Sequence, residues 1–121
     1  MATVPDLDDC KAYLDDAGVS YAAAAEGRPD PVETALNAEV LNQLGRVTLP
    51  TVLEVDVEVP TYTADLLEAL YARVARRLIL RGLPLGVSPT ATDSAIAVTR
   101  VGGLDAEIAR LEAGKRKVVL G

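Results

Sequence analysis

Residues Asp65 to Arg81 carry the pattern that most constrains this chain. Two apolar rows, Leu66, Leu70, Val74, Leu78 and Leu67, Tyr71, Ala75, Ile79, run through it at four-residue spacing. On a helix of 3.6 residues per turn that spacing gains about 40° per step, so the stripe winds around the helix instead of keeping to one face. Such a helix should meet more than one neighbour, from its own chain or another. Leu66, Leu70, Tyr71 and Val74 are therefore the expected core or subunit-interface residues. Asp65 and Glu68 stand in capping-box relation, and Gly82 closes the far end. Arg73, Arg76, Arg77 and Arg81 fill the remaining arc. Three uses are open for them: pairing with carboxylates of the acidic first helix of this or a neighbouring chain, plain solvation, or contact with nucleic acid.

Two further helices announce themselves earlier in the chain. Asp6 can cap a short helix through about Ala17, with Leu7, Cys10 and Leu14 at helical spacing, four aspartates (Asp8, Asp9, Asp15, Asp16) and Gly18 as the stop. Asp30-Pro31-Val32-Glu33 then combines an N-cap, a proline preset for the first helical position and a glutamate three residues on. A helix from Pro31 to Leu44 ending at Gly45 follows from it. Ala22 to Ala25 would extend a helix, but Gly18 and Gly27 isolate that piece.

From Val52 to Val59 the period changes to two. Val55, Val57 and Val59 alternate with Glu54, Asp56 and Glu58 between Pro50 and Pro60, which reads as a strand or extended arm with two unlike faces. The acidic row Glu54, Asp56, Glu58 is open to three readings: a solvated strand face, a wall facing a channel that repels DNA, or a cation site. The last suffers because a flat row does not converge on one ion. Leu83 to Gly103 reads as a long connector broken by Pro84, Gly86, Pro89 and Gly102-Gly103. Within it Ala95 to Val101 is a candidate second extended segment, able to pair with Val52 to Val59. Leu104 to Ala113 reads as a short amphipathic stretch.

A chain of 121 residues supports one domain, here taken as 1–114, with a core of small and branched aliphatics because Phe and Trp are absent. A formal charge of −6 argues against a general nucleic-acid surface, whose affinity comes from neutralising phosphates. Cys10 is the single cysteine, which excludes an intrachain disulfide. The first residues lack a basic and apolar leader pattern, and no apolar run reaches the ~18 residues of a membrane span, so a soluble protein made in a cytosol is expected. No histidine is present, which removes the commonest general base and metal ligand at neutral pH. The glycines match neither a phosphate loop nor a dinucleotide fingerprint. No catalytic, metal or cofactor site is expected, and the chain reads as an assembly part.

The tail is the other distinctive segment. Lys115, Arg116 and Lys117 precede Val118, Val119, Leu120 and Gly121. Chain ends are often disordered. An apolar β-prone triplet is costly to leave wet, however, so docking as an added strand or peptide in a partner's groove is the competing reading.

The acidic first helix, the segment from Tyr62 to Arg77 and the ending from Leu104 to Gly121 together resemble head-to-tail connector (adaptor) proteins of long-tailed double-stranded DNA phages. The versions most alike come from phages of GC-rich actinobacteria, and the Ala/Arg/Val-rich usage agrees. The resemblance implies a small helical protein, and with the patterns above the expected fold is mainly α, a small helical bundle with an extended segment or β-hairpin and an extended C-terminal arm. It implies a virion protein without enzymatic activity, forming a homo-oligomeric ring, typically a dodecamer, beneath the portal protein. Packaged double-stranded DNA would pass through without sequence-specific binding, and a stopper or tail protein would be received on the other side. By the same resemblance, Lys115 to Gly121 would be the portal-docking arm. The alternation of Val52 to Val59 departs from the plain interhelical loop expected of such a protein. Two alternatives stand beside this one: a stopper or tail-completion protein, which should be β-rich, and a small cytosolic regulatory binding module.

Overall fold

The computed structural model describes residues 2–81 and 91–117, with 91–100 described by backbone alone. Among these residues it is mainly α: helices α1 (Leu7–Asp16), α2 (Pro31–Leu44), α3 (Ala64–Arg81) and α4 (Ala91–Glu112), with one antiparallel hairpin of β1 (Thr51–Glu54) and β2 (Val57–Pro60).

Local chemistry sets the ends of the first two helices. Helix α1 closes on Gly18 at φ 69, where Val19 N donates to Leu14 O at 2.9 Å and Gly18 N to Asp15 O at 3.1 Å. These are the two bonds of a Schellman end, in which only glycine holds the left-handed position without penalty. Val19 and Leu14 are both buried in the core, which supplies the apolar contact that accompanies this motif. At the start of α2 the Asp30 carboxylate accepts from Val32 N at 2.9 Å, and Pro31 sits where no intrahelical N–H is needed. Asp30 also receives Lys11 Nζ at 2.8 Å, tying α1 to this cap; that bond, with further help from backbone donors, holds the Asp30 carboxyl below its ordinary range.

Helix α3 is the centre of the molecule. Leu66, Ala69, Leu70, Tyr71, Ala72, Val74 and Ala75 are buried on it, an arc too wide for one neighbour, and it packs against α1, α2 and α4. The winding stripe is thus satisfied within one chain. Its cap is Thr63, not Asp65: Thr63 Oγ1 accepts from Leu66 N at 3.2 Å, and Asp65 falls in the first turn, where its charge suits the positive end of the helix dipole. Cys10, Leu14, Val32, Leu36, Val47 and Tyr62 complete the core from the surrounding elements. Tyr71 stacks at a tilt on Tyr13, ring centroids 6.0 Å apart, and its hydroxyl accepts from Asp6 N at 3.3 Å. Cys10 is fully buried, and desolvation pushes its thiol up to about 12.

Three expectations are corrected. Ala95 to Val101 is not an extended segment and does not pair with Val52 to Val59, because it lies inside α4. The connector reading fails from Ala91 onward, and residues 82–90 lie outside those described. The β-branched residues and the Gly102-Gly103 pair disfavour a helix locally, but Leu104, Ile108 and Leu111 recur at helical spacing, and Ile108 and Leu111 are buried. Tertiary packing overrides propensity here. The third correction concerns Val52 to Val59, which is not one strand. It folds back at Val55 and Asp56, both at positive φ (49 and 64), as a two-residue type I′ turn requires. Residues 20–26 form no regular element, so the Ala22 to Ala25 piece is not helical.

Candidate functional site

Hairpin register decides the fate of the acidic row. Val52 pairs with Val59, Leu53 with Glu58 and Glu54 with Val57. Directly paired residues share a face and successive residues alternate, so Glu54 and Glu58 lie on opposite faces while Asp56 occupies the turn. The wall of three carboxylates does not form, and neither does a cation site built from it. Glu54, the β1 residue next to the turn, instead accepts from Ala2 N, while Thr3 N donates to Thr61 Oγ1 at 2.8 Å and Tyr62 N to Thr3 O at 2.9 Å, so the first residues brace the hairpin both at its base and near its turn. Val52 and Val59 are half-buried, but Leu53 on one face is 72% exposed, Val57 on the other 61% and Val55, at the tip, 96%.

The arginine arc of α3 reaches carboxylates, but not those of the first helix. Arg73 makes a bidentate pair with Glu112 of α4, through Nε at 2.7 Å and Nη2 at 2.5 Å. Gln43 of α2 donates to the same carboxylate at 3.0 Å and to Leu66 O at 3.0 Å. This network joins three helices around a glutamate with no exposed surface. Burial pushes the Glu112 carboxyl up, but the Arg73 and Gln43 hydrogen bonds, with the charges of Arg73 and Arg116, outweigh it and hold it below the ordinary range. Arg73 is correspondingly shifted up by its bond to Glu112. Arg76 pairs with Asp105 at 2.5 Å and Arg77 with Glu39 at 3.1 Å. The acidic residues of α1 do not take part in these three pairs.

Where these pairs reach the surface they form one wall of a cleft of about 230 Å³, lined by Glu39, Arg46, Arg73, Arg76, Asp105, Ile108 and Arg116. A second hollow, lined by Gly45, Arg46, Arg116 and Lys117, lies beside it and shares two arginines. Arg46 and Arg116 are exposed and stand in no ion pair among the described residues. The cleft is therefore cationic on its open side, suited to a carboxylate-bearing or other anionic group.

The basic tail supplies part of this cleft because its first residues are tied down. Thr48 N donates to Lys115 O at 2.8 Å and Lys117 N to Arg46 O at 2.9 Å, an antiparallel bridge centred on Val47 and Arg116. Lys117 Nζ caps Leu44 O at 2.9 Å, satisfying a carbonyl at the end of α2. Lys115, Arg116 and Lys117 thus belong to the folded domain, which extends past residue 114. Val118, Val119, Leu120 and Gly121 lie outside the described residues.

Sequence reading named Arg73, Arg76, Arg77, Arg116 and Lys117 but missed Glu39, Gln43, Arg46 and Glu112. A signal for three of these was present: Val32, Leu36, Glu39 and Gln43 fall at three- and four-residue intervals on one face, and Glu112 adjoins the apolar pair Ile108 and Leu111. Polar residues on an apolar stripe are buried and must be satisfied by one another. Among the described residues no group of three His, Cys, Asp or Glu side chains is placed to hold a metal ion, and no helix is long and apolar enough to cross a membrane. The chain matches no family model, and no curated protein or solved structure matches it.

Proposed function

We propose that this chain is a structural virion protein, a head-to-tail connector (adaptor) subunit that joins a ring beneath the portal, extends the DNA channel and receives the tail. Synthesis would be in the cytoplasm of the bacterial host, and the working location is the junction of capsid and tail. The observation that carries the reading is the hairpin. In a protein of this size, three large aliphatic residues held in water on a projecting ribbon are the mark of a surface made to be covered by protein. The resemblance of Tyr62 to Arg77 and Leu104 to Gly121 to phage connectors gives that protein its class: copies of this chain, the portal, and a stopper or tail protein. A net charge of −6 suits a ring through which DNA slides without being held. The stopper or tail-completion alternative calls for a β-rich fold, and a bundle of helices with a single short hairpin among the described residues weighs against it.

The test is removal of the gene from the producing phage. DNA-filled heads without tails should accumulate, and purified protein added to them should restore tail joining, counted by electron microscopy. Normal tailed particles made without the chain would refute the proposal, as would its absence from purified virions.

A further inference from the structure

Hairpin and cleft are complementary in charge. Residues 51–60 carry Glu54, Asp56 and Glu58 and no basic residue, so the ribbon is an acidic tongue with an apolar tip. The cleft opens between the exposed side chains of Arg46 and Arg116. Two exposed guanidinium groups that stand in no ion pair among the described residues are the surface an acidic tongue fits. Backbone geometry at the tip points the same way. Val55 is β-branched and held at φ 49, a region where asparagine or glycine is far easier to place, and among the described residues nothing covers it in return. Strain kept at an exposed tip is a feature to be explained by what the tip touches.

We infer that the β1–β2 hairpin of one copy docks in the Arg46/Arg116 cleft of the next copy, with Asp56 and Glu58 against the arginines. The two surfaces are different patches of the same chain, so the contact is heterologous and propagates from copy to copy, closing into a ring when the rotation permits. The inference rests on the ring-subunit reading above and specifies its interface.

The test uses the full chain. Val55→Asn with Asp56→Gly installs the turn pair that type I′ favours, so the melting temperature should hold or rise while self-association, read by sedimentation velocity across a concentration series, falls at least tenfold. Arg116→Glu should weaken association similarly, and adding Asp56→Arg to that variant should restore it, because every copy then carries both halves of the reversed pair. Mixing a Val55→Cys chain with an Arg116→Cys chain under mild oxidation, in solution or in purified particles, should give the mixed disulfide as the main product. Predominant Val55→Cys homodimers would overturn the inference by showing an isologous contact. Mixed product no more abundant than with a Glu26→Cys control on an exposed loop would also overturn it. Oligomers of undiminished affinity from the Val55→Asn, Asp56→Gly protein would sink hairpin docking while leaving the connector reading intact. Tails that join heads without this chain would remove the connector reading, yet the mixed disulfide would still report the docking.

Discussion

Helix α3 and the β1–β2 hairpin adjoin in sequence and are opposite in construction. In α3 the buried apolar residues lie on an arc covered by three other helices, and Arg73, Arg76 and Arg77 find carboxylates within the chain. In the hairpin Leu53, Val55 and Val57 stand in water, and the acidic residues of the tip have no basic neighbour on the ribbon. One region is complete in the monomer and the other is not. A two-stranded ribbon is at best marginal by itself, and this one is held at its base through Thr3, Pro50 and Thr61 and next to its turn through Ala2 on Glu54. Stability and recognition are thus divided between neighbouring segments, and substitutions should report the division.

The largest effect belongs at the centre of α3. Leu70→Asp would bury an unpaired carboxylate and should cost several kcal/mol, a large share of the ~5–15 kcal/mol by which such domains are stable. Circular dichroism should show loss of the cooperative melt, and an unchanged midpoint would break the assignment of α3 as the core.

Arg73→Ala comes next, because it leaves Glu112 buried without its cation; the expected loss is about 3–5 kcal/mol in urea unfolding. The same pair fixes a pH dependence. The folded-state pKa of Glu112 lies below its ordinary value of 4.5, so the stability it contributes is fully present above that value and is lost as pH falls through the lower folded value. Asp30 and Glu107 also titrate low and contribute in the same sense. Glu112→Gln should therefore be less stable than wild type at neutral pH, with the gap narrowing below about pH 4.5. A constant gap across the acid range would show that the ionised form of Glu112 is not what the network favours.

Truncation after Gly114 is of middle size. A tail that only docked elsewhere would be dispensable for folding, but the bridge to Arg46 and Thr48 covers Val47, which is 1% exposed. Loss of two backbone hydrogen bonds and part of that cover should cost about 1–3 kcal/mol. A midpoint unmoved by the truncation would mean that the bridge contributes nothing, whereas truncation after Lys117 should leave the fold intact.

The smallest stability effects belong on the surface. A Cβ added at Gly102 or Gly103 meets nothing within 4 Å, so each glycine-to-alanine change should stabilise α4 by about 0.5–1 kcal/mol. Val57→Asp on the hairpin should move stability by no more than about 0.5 kcal/mol, in contrast to Leu70→Asp. A large loss there would erase the distinction between the two regions.

What was legible in the sequence follows the range of the interactions. Both ends of α2 could be placed to the residue because Asp30, Pro31 and Gly45 act within one turn of themselves. The winding stripe of α3 was readable because periodicity is local, although Thr63 took the capping role given to Asp65. Helix α4 was not readable at its first half, since Ile96, Val98, Thr99 and the glycine pair speak for other structures and only the packing against α3 decides. The hairpin was legible only as one of two options, an extended segment or a β-hairpin, because Val55-Asp56 lacks the glycine or asparagine that marks where such a ribbon turns. The Arg73, Gln43 and Glu112 network spans up to 69 positions in sequence, and nothing short-range names its members as a set.

Cys10 offers a way to time the molecule. Its thiol is sealed inside the bundle and protonated throughout the neutral range, so an alkylating reagent can react only during moments when α1 lifts from α3. If reclosure outruns the chemistry, the labelling rate divided by that of the unfolded chain equals the fraction of time that the helix stands open. A single native thiol therefore turns the seating of α1 into a free energy measurable without substitution, both in the lone protein and after it joins an assembly.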